Sequence, residues 1–136
     1  MYLLDTNIIS ELIRKKPDPG VVAWFERLRR ISVCTQVLEE LSYGIERAPG
    51  EKKARLEAWF SAFLDIPPDI VPIDREIAVL AGRLRGAAEN KGKALTQADG
   101  VIAATAIQQS MILATKNTRD FEGLGVGLYN PFDNIL

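Results

Sequence analysis

The chain has 136 residues, 47% hydrophobic and 26% charged, with 17 Lys and Arg against 18 Asp and Glu and a net charge of -1. That length suits one domain with a sizeable core, and the near-neutral balance excludes a protein that is basic all over. A single cysteine, Cys34, allows no intrachain disulfide, and the lack of any histidine removes Ser-His-Asp and Cys-His catalysis together with His-ligated zinc.

No apolar run approaches the roughly 18 residues that span a membrane, and Tyr2-Leu3-Leu4 is too short for a signal-peptide core. A cytoplasmic location with no membrane partner is therefore expected. The chain opens on a short apolar run that stops at Asp5 and passes through Thr6 and Asn7 into a helix. Ile8, Ile9, Leu12 and Ile13 recur at helical spacing from Asn7 to about Arg14. Asp18-Pro19 reads as an N-cap with a first-turn proline, opening a helix through Val22, Trp24, Phe25 and Leu28. Ile31 to Cys34 is a short β-branched run, read as a second strand.

Thr35 is expected to cap a helix over about Gln36 to Arg47, whose apolar stripe is Val37, Leu38, Leu41 and Ile45. At about 100° per residue Glu39 points away from that stripe, while Glu40 lies on its margin. Glu51 to Leu64 reads as a further helix with Leu56, Trp59, Phe60, Phe63 and Leu64 on its apolar side. Pro67-Pro68 breaks the chain. Ile70 to Ile73 is strand-like, and Pro72 suggests a sheet edge or a strand start. Asp74 caps a helix through Ile77, Leu80, Ala81 and Leu84, which leaves through a basic stretch from Arg83 to Lys93.

Leu95 to Asp99 opens a helix of small and apolar residues that should be packed on more than one side. Met111 to Thr115 reads as a buried strand, and Val126 to Tyr129 as a last short one. There is no internal repeat and no domain-sized shift in composition. Strands separated by helices argue for a single α/β domain, residues 1–136, with a parallel sheet and right-handed crossovers.

Four acids stand out by position: Asp5 after the first strand, Glu40 on a helix margin, Asp99 at a helix start and Asp120 after the strand that ends at Thr115. Each also has a plainer reading. Asp5 suits an N-cap, Glu40 a surface glutamate, Asp99 a capping box with Thr96, and Asp120 a cap before Phe121. In an open α/β sheet, however, strand ends and helix starts meet along one edge, where ligands gather.

Carboxylates brought together there repel: two charges about 4 Å apart cost on the order of 4 kcal/mol at an effective dielectric of 20. Mg²⁺ or Mn²⁺, which take oxygen ligands, is the natural remedy, and such a cation also activates water and offsets charge on a phosphate. That is a phosphodiesterase site needing no histidine. With these four acids set aside, the other 14 face 17 Lys and Arg, an excess of three positive charges. Arg14, Lys15, Lys16, Arg83, Arg85, Lys91, Lys93, Lys116 and Arg119 are the candidate phosphate contacts.

The succession Leu3-Leu4-Asp5-Thr6-Asn7, Glu40 to Ile45, Ala98 to Ala106, Ala114 to Phe121 and Asn130-Pro131-Phe132 resembles PIN-domain ribonucleases of the VapC toxin type over the whole length. The resemblance implies an α/β/α domain with a central parallel sheet of about five strands and an acidic pocket for Mg²⁺ or Mn²⁺. It implies endonucleolytic RNA cleavage by the toxin half of a toxin–antitoxin pair.

Asp5, Glu40, Asp99 and Asp120 match the family's acidic quartet. Thr6 and Asn7 match the polar residues beside the first acid, and Thr115 and Asn117 the supporting hydroxyl and amide. Asp5 and Asp99 are expected to hold the metal directly, with Glu40 and Asp120 completing its shell or orienting water. Lys116 stands where an arginine is frequent, and Gln109 where a histidine is.

The implied partners are an RNA substrate, a second copy in a homodimer, and a small antitoxin through which alone operator DNA is met. The aromatic-rich helices around Trp24 and Trp59 are the candidate contact surfaces, with plain core the other reading for at least half of their apolar residues. Two rival readings remain at this point. One is a catalytically idle PIN-like RNA-binding or assembly module. The other is an aspartyl phosphatase of the haloacid-dehalogenase type, which wants a second Asp where Asn7 stands.

Overall fold

Five short strands and six helices fill the 132 residues that the computed structural model describes, 1–65 and 68–134. Of the expected Pro67-Pro68 break, Pro67 lies outside the described residues. The chain runs β1 (Tyr2–Leu4), α1 (Thr6–Leu12), α2 (Pro19–Glu26), β2 (Ser32–Cys34), α3 (Thr35–Arg47), α4 (Gly50–Asp65), β3 (Asp69–Val71), α5 (Arg75–Asn90), α6 (Gln97–Gln108), β4 (Ile112–Ala114) and β5 (Leu128–Tyr129). Short 3₁₀ helices cover Thr118–Phe121 and Pro131–Asp133.

All pairings are parallel, in the order β3-β2-β1-β4-β5. The chain therefore builds outward from β1 to β2 and β3, then returns to add β4 and β5 on the other side. The reversal lies between β1 and β4, and in a parallel sheet the crevice at such a switch point is where ligands bind. β1 and β4 pair Leu3 with Leu113 and Leu4 with Ala114. One residue further on, Asp5 and Thr115 leave the sheet side by side.

The core is built on the buried runs that the apolar patterning marks. Leu3, Leu4, Ile8, Ile9, Val33, Val37, Ile102 and Leu113 are completely buried, each such side chain contributing about 1.5–3 kcal/mol by leaving water. α6 is buried from Gly100 through Ala106, which fits a helix with no wide polar face. Its small residues let α5 pack closely against it. Asp18, Asp74 and Thr96 cap their helices as expected, each accepting a backbone N–H. Among the described residues no helix is long and apolar enough to cross a membrane.

Several local expectations are corrected. Cys34, not Thr35, occupies the cap of α3, so that helix starts without a side-chain cap. The first helix ends at Leu12, short of Arg14, and the chain turns back so that Glu11 receives both the Asp18 N–H and the Arg14 guanidinium. β4 is buried at Leu113 and Ala114 but not at Ile112, and Leu64 faces solvent at the end of α4. β3 lies at the sheet edge, where Pro72, just past its end, costs no ladder hydrogen bond.

Candidate active site

Asp5 is the fixed point of the site. It is 5% exposed, held by its place between the end of β1 and the start of α1, and its backbone N–H still donates to Ala114 across the sheet. Oδ1 accepts the Thr6 N–H at 2.7 Å, which makes Asp5 the N-cap of α1 as well. Oδ2 accepts the Thr115 hydroxyl at 2.8 Å and the Asn7 side-chain amide at 3.2 Å. Asp5 thus caps α1 with one oxygen and is tied to Thr115 and Asn7 by the other.

A small polar lattice holds the neighbours. The Thr115 oxygen accepts from Asn7 Nδ2 at 3.2 Å and from the Asn117 backbone N–H at 3.1 Å. Asn7 Oδ1 accepts the Lys116 N–H at 3.1 Å, tying the loop after β4 to α1. The Thr6 hydroxyl donates to Glu40 Oε1 at 2.8 Å, bringing α3 to the same edge. Glu39 is exposed and Glu40 half-buried, as the helical phase predicted. Asn117 enters this lattice through its backbone, with no side-chain cap bond of its own, while the Asn7 amide reaches both Asp5 and Thr115.

Asp99 arrives from the first turn of α6, where its N–H donates to the Thr96 hydroxyl at 3.1 Å. Asp5, Glu40 and Asp99 line one open cavity of about 390 Å³, together with Asn7, Lys116 and Phe132. Asp120 does not line it. It sits exposed in the 3₁₀ helix after β4, bordering an adjacent depression with Arg119 and Lys116, and it acts on Asp99 through charge. The N-cap of that short helix is Asn117, so Asp120 is not a cap.

The electrostatics follow from this crowding. Burial pushes the Asp5 carboxyl from the ordinary 3.8 up to about 6; hydrogen bonds from Thr115 and Thr6 oppose the rise, and the charges of Asp99 and Glu40 add to it. Glu40 is raised by burial, against the Thr6 hydrogen bond, and further by Asp99 and Glu39. Asp99 is raised by burial and then by Asp120, against the hydrogen bond to Thr96. These shifts come from burial and like charges in one cleft, the pattern expected of a functional site. Cys34, just behind, has its thiol pushed up by burial and is a poor nucleophile.

Sequence reasoning passed over Glu11, 7% exposed on the cavity wall. It accepts the Asp18 N–H at 2.8 Å and pairs with Arg14 at 3.1 Å, fixing the turn between α1 and α2. The signal was available: Glu11 follows Ile8 by three residues and so shares its buried face. Of the candidate cations, Arg14 and Lys116 line the cavity. Lys116 places its ammonium 4.8 Å from the Phe132 ring centroid. Arg85 and Lys93 are used structurally, donating to the carbonyls of Leu95 and of Arg119 and Glu122.

Comparison with known proteins agrees with this geometry. A family model described as PIN domain matches residues 2–126. Toxin FitB of Neisseria gonorrhoeae is 35% identical, over 97% of this chain and 99% of its own. VapC ribonuclease Y4jK of Sinorhizobium fredii is 31% identical, over 98% and 99%. The structure of VapBC2 from Rickettsia felis bound to a DNA fragment from its promoter superposes with a TM-score of 0.83 at 30% identity, covering 95% of this chain and 97% of that one. The matched motifs, the switch-point crevice and the full-length relatives converge: the chain belongs to the PIN-domain family, among the VapC-type toxins.

Proposed function

We propose that the chain is a metal-dependent endoribonuclease that cuts RNA phosphodiester bonds as the toxin of a toxin–antitoxin pair. The observation that carries this reading is the meeting of Asp5, Glu40 and Asp99 around one open cavity at the sheet's switch point. The relatives' names, a toxin and a ribonuclease, supply the substrate class.

Mg²⁺ or Mn²⁺ fits the donor set, which offers carboxylate oxygen and no histidine. No group of three acidic or cysteine side chains among the described residues is already arranged to hold an ion. Asp5 and Asp99 would hold it, with Glu40 and Asp120 at its margin. When bound, it supplies an activated water and neutralises charge growing on the phosphate.

The chain's own residues do the rest. Thr115, Asn7 and Thr6 hold the Asp5 carboxylate rigid, so no reorganisation is needed when substrate arrives. Glu40 keeps Oε1 on Thr6 and has Oε2 to receive a proton from the attacking water. Lys116 at the cavity rim is placed to meet a phosphate oxygen. The partners that suit this reading are a small antitoxin protein and a second copy of the chain, with operator DNA reached through the antitoxin.

The test is direct. Purified full-length chain should cleave single-stranded RNA in Mg²⁺ or Mn²⁺ and not in excess chelator, and Asp5→Asn should lower the rate at least about a hundredfold. Undiminished cutting in chelator, or by Asp5→Asn, overturns the proposal.

A further inference from the structure

Three hollows adjoin the acidic cavity and one another, sharing lining residues. Glu40 borders the cavity and two hollows between α3 and α4. Gly44, one turn after Glu40, borders both hollows, and a Cβ added there would meet nothing within 4 Å, so no side chain stands between them at this point. Lys52 of α4 lines both and continues into a third, a groove of about 860 Å³. Arg14 lines both that groove and the acidic cavity.

The lining of these hollows is chemically two-ended. The groove gathers Arg14, Lys15, Lys16, Lys52 and Arg55 against Glu51 alone, in a protein whose net charge is -1. Among the described residues no ion pair engages Lys15, Lys16 or Lys52. Arg55 is half-buried and donates to the Ile13 carbonyl at 2.8 Å, clamping α4 to the end of α1 and fixing the groove's width. At the other end Tyr43 is 51% exposed. The Arg47 guanidinium lies 5.3 Å from its ring centroid and donates to its hydroxyl at 3.3 Å.

We propose that these hollows form a binding track for single-stranded RNA, in which Lys15, Lys16 and Lys52 take backbone phosphates and Tyr43 stacks an unpaired base. It rests on the ribonuclease reading, for it runs past Glu40 and leads the strand to the acidic cavity. A basic groove with an aromatic platform is how single strands are held without regard to sequence. A duplex buries its base faces and cannot use the platform. An acidic protein segment would use the cations but leave the Tyr43–Arg47 stack without a purpose.

Binding is measured by fluorescence anisotropy on the full chain carrying Asp5→Asn, in excess chelator, with a short labelled single-stranded RNA, its duplex, and a polyglutamate peptide. Lys15→Glu, Lys16→Glu and Lys52→Glu combined should weaken single-strand binding at least about tenfold and reduce the slope of log K against log salt by about 2, since each single-strand phosphate contact contributes about 0.7. Tyr43→Ala should weaken it about tenfold, and Tyr43→Phe should not. All three lysines are exposed, and thermal unfolding checks that the variants fold.

Unchanged affinity and salt slope in the triple variant, or a duplex bound as tightly as the single strand, overturns the track. So does a triple variant that keeps RNA binding and loses only polyglutamate. The two proposals separate in Mg²⁺ with otherwise unsubstituted chain. Binding through the track without any cleavage sinks the ribonuclease reading alone. Cleavage with an unchanged KM after the triple substitution sinks the track alone.

Discussion

Thr115 donates its hydroxyl proton to Asp5 Oδ2 at 2.8 Å although 110 residues separate them in the chain. The contact exists because β1 and β4 are sheet neighbours paired in register, so the residues that follow Leu4 and Ala114 emerge together. Thr115 is completely buried, and its oxygen also accepts from Asn7 and from the Asn117 backbone. One hydroxyl therefore orients the central carboxylate and locks the loop after β4.

Thr115→Val keeps the shape and removes that hydroxyl. It leaves the Asn117 N–H without its acceptor and Asp5 Oδ2 with only Asn7 as donor, which costs about 1–3 kcal/mol of stability. RNA cleavage should fall at least about tenfold, since a misplaced catalytic group is costly. Thr115→Ser should keep most of both. Thermal unfolding and initial cleavage rates decide it, and a valine variant equal to the parent on both counts refutes the assigned role.

The Asp5 carboxyl ionises at about 6 in the folded chain against 3.8 for an ordinary Asp. Between these values the folded state keeps a proton that the unfolded state has released. Stability of the metal-free protein therefore falls as pH rises through that window and levels off above it. The full effect is on the order of 3 kcal/mol. Urea unfolding in chelator from pH 4 to 8 should show Asp5→Asn gaining on the parent chain across the window. A constant difference between the two would contradict the shift.

Cation binding should reverse that penalty. Mg²⁺ or Mn²⁺ at a hundred times its Kd raises stability by about 2.7 kcal/mol if it binds only the folded state. The gain in unfolding temperature should shrink in Glu40→Gln and Asp99→Asn and fade below pH 6, where Asp5 holds its proton. No gain with either cation at neutral pH would count against the metal assignment.

Gly100 tests how α6 carries Asp99 to the cavity. A Cβ added there would lie 2.9 Å from the Arg85 Cγ and 3.4 Å from the Ala81 carbonyl oxygen, on the α5 side. Gly100→Val therefore overpacks the α5–α6 contact, costing about 1–3 kcal/mol, and moves Asp99 with its helix turn. Chemical denaturation should show the loss, and cleavage should fall with it. A valine variant of unchanged stability would mean that the two helices have slack at this point.

Much of the site was legible because its local chemistry repeats in predictable places. Asp5 had to end an apolar run and precede a helix, and the 3.6-residue phase of α3 separated Glu40 from Glu39 without coordinates. Other contacts were not legible, because the deciding partner is remote in the chain. Nothing near Lys93 or Arg85 in sequence says that each is committed to a backbone carbonyl, at Arg119 and Glu122 or at Leu95. Nor does any local pattern say that Asn117 contributes its backbone while Asn7 reaches over to Thr115.

The amino-acid order alone settled the element types, the α/β class and the exclusion of histidine chemistry, because periodicity, capping and composition act over a few residues. Only the folded arrangement decided that Asp5, Glu40 and Asp99 share a cavity while Asp120 stands beside it. That outcome depends on strand order and register, and these come from packing between segments up to about a hundred residues apart rather than from any single stretch.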